Sequence, residues 1–334
     1  MNIPSHQTCI AITAAGGPKV LQARRISVPT PGADEVLIEV HASGVNRHDC
    51  NQRARGPVRT HSDIPGLEVA GVVVSKGDKA HDIAIGARVC ALTDGGGYAQ
   101  YVVAKAGQTL LLPDSVDFQQ GASIPEGVFT TWHNFFGVAR LKPGETVLLH
   151  GGTSGVGVLA IQILSQLGYT VFATCGSDEK VAIAERLGAV RAFNYRQGDF
   201  VAGLKGKTAG RGVDIILDMS GGKHSESNIA ALAHGGRLVH LSGGGATFQA
   251  PLSEIMRKEI HITGSLLRPL PNAEKNALGK VIRQLVMPLI SNGLVVPLIY
   301  GAFSLDQASA AHALMEMGVH SGKIVLSVDT ATWG

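Results

Sequence analysis

The chain has 334 residues, which at roughly 150 residues per domain points to two domains. Its 29 basic and 26 acidic residues leave a net charge of +3 with no Lys/Arg cluster, so nucleic acid is not an expected partner. The composition is 45% hydrophobic and 16% charged, which excludes a disordered chain, and the 43 glycines are nearly twice the usual ~7%.

The N-terminus, beginning MNIPSHQTCIAIT, shows no basic stretch followed by an apolar one, so no leader is expected. The first ~125 residues read as β-rich: Val36–Val40, Val69–Val74, Arg88–Ala91 and Tyr98–Val103 are short β-branched runs between Pro, Gly and Asp turns. From Glu145 the texture changes to alternating strand and helix. Thr146–His150 is predicted as a buried strand, Val158–Leu167 as a buried helix closed by Gly168, and Tyr169–Thr174 as the next strand. Ser177 is the expected N-cap of a helix closed by Gly188. Further strands are expected at Ala192–Tyr195, Val213–Met219, Arg237–Ser242 and His261–Leu266, with a helix at Ser225–Ala233. Six strands with crossovers make a doubly wound parallel sheet. The longest apolar candidate, Val281–Tyr300, is broken by Arg283, Pro288, Asn292 and Pro297, so no membrane span is expected. The tail carries a helix at Leu305–Met317 and a strand at Lys323–Leu326. Cys9, Cys50, Cys90 and Cys175 are far apart and form no CxxC pair, which fits a reduced, cytoplasmic protein without disulfides or a cysteine zinc cluster.

The most specific motif is His150-Gly-Gly-Thr-Ser-Gly-Val-Gly-Val-Leu-Ala160. Gly155-x-Gly157-x-x-Ala160 matches the dinucleotide pattern and lies between a strand and a helix, where that pattern carries meaning. Gly155 makes the tight turn, Gly157 admits the pyrophosphate to the backbone, and Ala160 lets the helix pack on the strand. The free N–H groups and positive dipole end of the helix hold the phosphates. An NAD site usually has a carboxylate at the tip of the second strand, ~20 residues on. Here that tip is Thr174-Cys175-Gly176-Ser177, and Lys180 lies one turn into the next helix, so NADPH is the expected cofactor. The plainer alternative for Lys180 is a solvated helix residue.

A β-rich first part, a central Rossmann unit and a short return segment resemble the medium-chain dehydrogenase/reductase superfamily, and within it the zeta-crystallin-like quinone oxidoreductase branch. The residues that carry the resemblance are Ala42–Asp49, Pro65–Gly71, the glycine loop, Phe193–Arg196 and Gly322–Leu326. It implies an α/β protein with a GroES-like catalytic domain over 1–126 and 299–334 and a Rossmann dinucleotide-binding domain over 127–298. It further implies that Thr153, Ser154, Gly155 and Val156 contact the pyrophosphate, and that Gly176, Ser177, Lys180 and Tyr195 hold the adenosine 2′-phosphate region. Leu241, Ser242, Gly243, Leu266 and Leu267 would line the nicotinamide end, and Asn46, Asp49 and Thr130 would face the cleft. Plainer alternatives stand beside these roles: a strand-end aromatic for Tyr195, core residues for Leu266 and Leu267, a helix cap for Thr130 and a structural acceptor for Asp49.

Zinc alcohol dehydrogenases of the superfamily carry a Cys after the first Gly-rich turn and a Gly-His-Glu. The matching positions here read Gly44-Val45-Asn46 and Gly66-Leu67-Glu68, and Leu67 cannot ligate, so no metal is expected. The remaining chemistry is hydride transfer to an already electrophilic acceptor. A quinone is the first choice; an enone or alkenal reductase and a non-catalytic NADPH-binding protein are the alternatives. Where some quinone reductases of this branch carry a Tyr, this chain has Asn51, and the loop Arg55–His61 is expected to shape the pocket differently. The resemblance also implies a homodimer paired through an edge strand at His261–Leu266.

Overall fold

A computed structural model of the protein describes residues 3–57, 62–242 and 247–328. Two compact units emerge: Met1–Phe129 with Pro271–Gly293 and Pro297–Gly334, and Thr130–Leu270 with Leu294–Val296.

In the first unit the chain opens with an antiparallel pair, His6–Ile12 against Leu21–Ser27. A seven-stranded sheet follows. Its order is Ile299–Ser304, Lys323–Ser327, Glu35–Val45, Glu68–Lys76, Arg88–Leu92 and Thr109–Leu111, with Tyr101–Lys105 also on Glu35–Val45. The central strands Glu35–Val45 and Glu68–Lys76 are buried along most of their length and rich in Val and Ile, as a covered sheet requires. Their register places Ser43 opposite Val69 and Ala42 opposite Ala70. The return strand pairs Ile324 with Val45, so Lys323 arrives beside Asn46 at the end of the sheet. Residues 271–293, expected with the Rossmann domain, group with this unit instead. The helix Asn272–Leu285 is held here by Gln108 Nε2 donating to Asn272 Oδ1 (3.2 Å), and by Arg283 donating to the carbonyls of Gly107 and Thr109.

In the second unit six parallel strands lie in the order Arg191–Asn194, Thr170–Cys175, Thr146–His150, Val213–Asp218, Leu232–His240 and His261–Gly264. The strand order reverses beside Thr146–His150, the switch point at which doubly wound sheets take their ligands. The helix Gly155–Gln166 follows that strand, and Gly157 through Leu164 are all buried. Each large apolar chain so buried contributes about 1.5–3 kcal/mol. Gly168, at φ +83°, ends the helix as expected.

All four cysteines are free and buried. Among the described residues no helix is long and apolar enough to cross a membrane.

Candidate functional site

The glycine loop is built from the strand below it. Gly151 and Gly152 both donate to the Thr174 carbonyl (3.1 Å each), which folds the loop back over the second strand. A side chain at Gly157 would put its Cβ 2.3 Å from the Gly151 carbonyl oxygen, so only glycine lets the helix start this close to the loop. Ser154 is the N-cap: its Oγ accepts from the Gly157 N–H at 3.0 Å. The hydroxyl is therefore engaged with the helix. Gly155 and Val156, the first two helical residues, present N–H groups that no intrahelical carbonyl can reach. Thr153 is buried beside them.

A buried polar chain supports this loop. His150, the last residue of its strand, has Nε2 2.6 Å from Asn228 Oδ1 and Nδ1 2.7 Å from Thr174 Oγ1. Asn228 Nδ2 donates onward to Asp218 (3.1 Å), so the facing Oδ1 must accept from His150 Nε2–H, and His150 Nδ1 accepts from Thr174. Burial pushes the His150 imidazole down to about 4, keeping it neutral.

At the tip of the second strand the carboxylate nearest at hand, Asp178, accepts from Asn194 Nδ2 (2.8 Å). Ser177 caps the next helix by accepting from the Lys180 N–H (3.3 Å). Lys180 is half-buried; burial and, after it, the neighbouring Arg196 hold its ammonium below the usual lysine range. Tyr195 stands over Gly176, where an added Cβ would lie 2.9 Å from the phenol oxygen. Lys223 lies 5.1 Å above the Tyr195 ring, and His224 stacks on His150. Lys223 and Arg196 thus flank Tyr195, and Arg196 is close enough to Lys180 to disfavour its charge. Sequence reasoning singles out only Lys180; Arg196 stands inside a motif that gives it no role, and Lys223 follows a glycine pair with nothing to mark it.

The other expected residues of this unit divide. Leu241 is half-buried and Ser242 exposed. Leu267 is buried at 9% exposure, but Leu266 is 68% exposed, so the core alternative fails for Leu266, which follows the last strand of the sheet. Gly243 lies outside the described residues, as do Val58–His61 of the Arg55–His61 loop. Thr130 is buried inside the helix Pro125–Trp132 and does not cap it; its carbonyl accepts from Asn134 Nδ2 (2.8 Å).

In the first unit Asn46 sits where the strand Glu35–Val45 hands over to the helix Arg47–Arg55. Asn46, Glu68 and Lys323 are 9%, 0% and 4% exposed and form one cluster. Lys323 Nζ lies 2.5 Å from Glu68 Oε1 and 2.7 Å from Asn46 Oδ1, and Asn46 Nδ2 donates to Glu68 Oε1 at 2.9 Å. Glu68 Oε2 accepts the Glu126 N–H (2.9 Å). A Cβ at Gly44 would lie 2.4 Å from Glu68 Oε1, so glycine is what lets the carboxylate lie against this strand. Asp49 realises the structural alternative. It is fully buried and accepts from the N–H groups of Asn46 (2.8 Å) and Gly66 (3.1 Å). Burial raises its carboxyl to about 6. The Tyr98 hydroxyl, 3.4 Å from Asp49, is 2.9 Å from His312 Nε2. Asn51 is exposed.

Two families match the chain: the alcohol dehydrogenase GroES-like domain over residues 32–114 and the zinc-binding dehydrogenase over residues 155–283. Human quinone oxidoreductase is 34% identical over 318 residues, covering 93% of this chain and 94% of its own. The chain belongs to the quinone oxidoreductase branch of the medium-chain dehydrogenase/reductase superfamily. A crystal structure of Escherichia coli quinone oxidoreductase complexed with NADPH superposes with a TM-score of 0.82 at 27% identity, covering 96% of this chain and 99% of that one. An NAD-dependent alcohol dehydrogenase structure gives a TM-score of 0.84 at 28% identity, covering 96% and 100%. The zinc of the wider superfamily does not fit these residues. Asn46, Leu67 and Glu68 offer an amide, an alkyl group and a carboxylate already taken by an ammonium and two N–H groups. Among the described residues no three His, Cys, Asp or Glu side chains group to hold a metal.

Proposed function

We propose that this chain is a zinc-independent, NADPH-dependent oxidoreductase that reduces quinones. The observation that carries the cofactor reading is the set of cations at this strand tip, Lys223 over Tyr195 and Arg196 beside Lys180, where the nearest carboxylate, Asp178, accepts from Asn194. Three cations at one strand tip suit a 2′-phosphate, whereas a 2′-hydroxyl calls for a carboxylate. The N–H groups of Gly155 and Val156, with Thr153 and the Ser154 segment, hold the pyrophosphate. Gly176 and Ser177 border the 2′-phosphate end. Leu241, Ser242, Gly243, Leu266 and Leu267 serve the nicotinamide end.

The chemistry supplied by bound NADPH is a hydride from its reduced ring. The chain's own residues bind and orient. Asn46 offers an amide N–H to an acceptor carbonyl, and Asp49 holds the Asn46 backbone. Quinone, hydride and a proton balance to hydroquinone, with the proton drawn from water. The relatives' activity and the lack of a fitting zinc donor set support a quinone over an alcohol. The chain works in the cytoplasm, where four buried free thiols stay reduced. It pairs with a second copy through the strand His261–Gly264, whose four residues are all exposed and which, among the described residues, ends the sheet.

The test is to mix purified protein with NADPH or NADH and a panel of quinones and enones, following the reduced-nicotinamide absorbance. The expected result is NADPH consumption with quinones. NADPH binding without turnover on either panel would point to a non-catalytic role, and faster turnover of enones to an enone reductase.

A further inference from the structure

We propose that Lys323 is a positioning residue for acceptor reduction: it fixes the orientation of the Asn46 side-chain amide so that an N–H, not the carbonyl oxygen, meets the acceptor. This rests on the reading above that the acceptor is a carbonyl compound reduced at Asn46.

The argument is one of donors and acceptors. An ammonium has three N–H groups and no lone pair, so the Asn46 atom 2.7 Å from Lys323 Nζ must be the oxygen. An ionised carboxylate only accepts, so the Asn46 atom 2.9 Å from Glu68 Oε1 must be the nitrogen. The flipped amide would set N–H against ammonium and oxygen against carboxylate at once. Both contacts forbid it, and both partners are more deeply buried than Asn46 itself. One Asn46 N–H is spent on Glu68. The second is the donor left for a ligand, and Asn46 is the member of the trio nearest to solvent.

The cluster is itself held on all sides. Asp49 accepts the Asn46 backbone N–H, Glu126 donates to Glu68 Oε2, and Gly44 leaves room for the carboxylate. Lys323 enters on the neighbouring strand, directly before Ile324, which pairs with Val45. An aligned N–H would hydrogen-bond the carbonyl oxygen on which negative charge grows as hydride arrives at the acceptor, the task a metal performs elsewhere.

Removing Lys323 alone would strand the Glu68 charge, so the variant is the paired Lys323→Met/Glu68→Gln, which keeps the site neutral and leaves an acceptor for the Glu126 N–H. The introduced glutamine amide can donate or accept, so the amide of Asn46 loses its fixed direction. The expected result is a tenfold to hundredfold loss (about what one positioned hydrogen bond gives) in kcat/KM for quinones, with the NADPH dissociation constant unchanged. The decisive readout is coupling. On an Asn46→Ala background the same pair should cost little more, because Lys323 acts through Asn46. Full additivity of the two losses would overturn the proposal. A second readout needs no variant and no cofactor: difference infrared spectroscopy of a quinone bound to the wild-type protein should show its carbonyl stretch lowered by the Asn46 donor. A bound quinone with its solution frequency would also overturn it. If the wild-type protein neither binds nor reduces any quinone or enone, the functional reading fails and this proposal falls with it; if it does reduce them and the losses add, only the proposal fails.

Discussion

Lys180→Ala isolates the 2′-phosphate from the rest of the cofactor. Burial and Arg196 both penalise the Lys180 ammonium, and an anion placed among these cations would lift that penalty. A hydrogen bond to a charged group contributes about 1.5–3 kcal/mol, and half-burial of Lys180 argues for the lower part of that range. At 1.4 kcal/mol per decade the NADPH dissociation constant should rise about tenfold to thirtyfold. NADH, which lacks the phosphate, should bind the variant as it binds the wild type. Arg196→Ala should cost less, about threefold to tenfold, because Arg196 is exposed and solvent already screens it. The assay is a fluorescence titration of both reduced cofactors against wild type and variants, repeated at higher salt. Equal weakening of NADPH and NADH by Lys180→Ala would refute the assignment, since it would mean that Lys180 shapes the loop and not the phosphate site.

Gly157→Ala should weaken NADPH and NADH alike, at least about tenfold, because a Cβ 2.3 Å from the Gly151 carbonyl pushes the loop off the helix start; equal titration curves for variant and wild type would contradict this. The neutral His150 by itself favours unfolding as the pH falls. Its unfolded imidazole takes a proton near 6.5 but the folded one only near 4, so stability drains away between those values, by about 3 kcal/mol. Asp49 works in the opposite sense: its folded carboxyl titrates near 6 against 3.8, so its contribution is lost as pH rises through 6 and largely cancels that of His150. Thermal denaturation should therefore compare His150→Gln with wild type. The variant should gain relative stability as pH falls from 6.5 to 4, and a pH-independent difference would count against the buried neutral imidazole. Ile262→Lys, on the exposed edge strand, should turn a dimer into a monomer by light scattering; a wild-type monomer would remove the premise.

Much of the second unit was legible because its signals are local. Thr146–His150 matches its expected bounds to the residue, Ser177 caps as expected, and Gly168 and Gly188 close their helices at positive φ. The strand expected at Arg237–Ser242 instead runs Leu232–His240. Gly235 and Gly236 interrupt the β-branched pattern, yet pairing of Leu232 with Val213 continues the strand through an irregularity. Helix Asn272–Leu285 escaped notice because two prolines precede it and its packing against Gly107 is tertiary. The cluster of Asn46, Glu68 and Lys323 joins residues 277 positions apart in its longest link. Each lies in a stretch that carried the family resemblance, but only the sheet register brings them together. No local pattern distinguishes a buried lysine at the start of a strand from a solvated one.

The most direct test of a zinc-free, phosphate-selective quinone reductase is NADPH oxidation by the chelator-treated wild-type protein with a quinone, counted against hydroquinone formed. The account predicts one NADPH consumed per quinone reduced, a rate indifferent to the chelator, and much slower turnover with NADH at equal concentration. Loss of activity on chelation, or equal use of NADH, would contradict it.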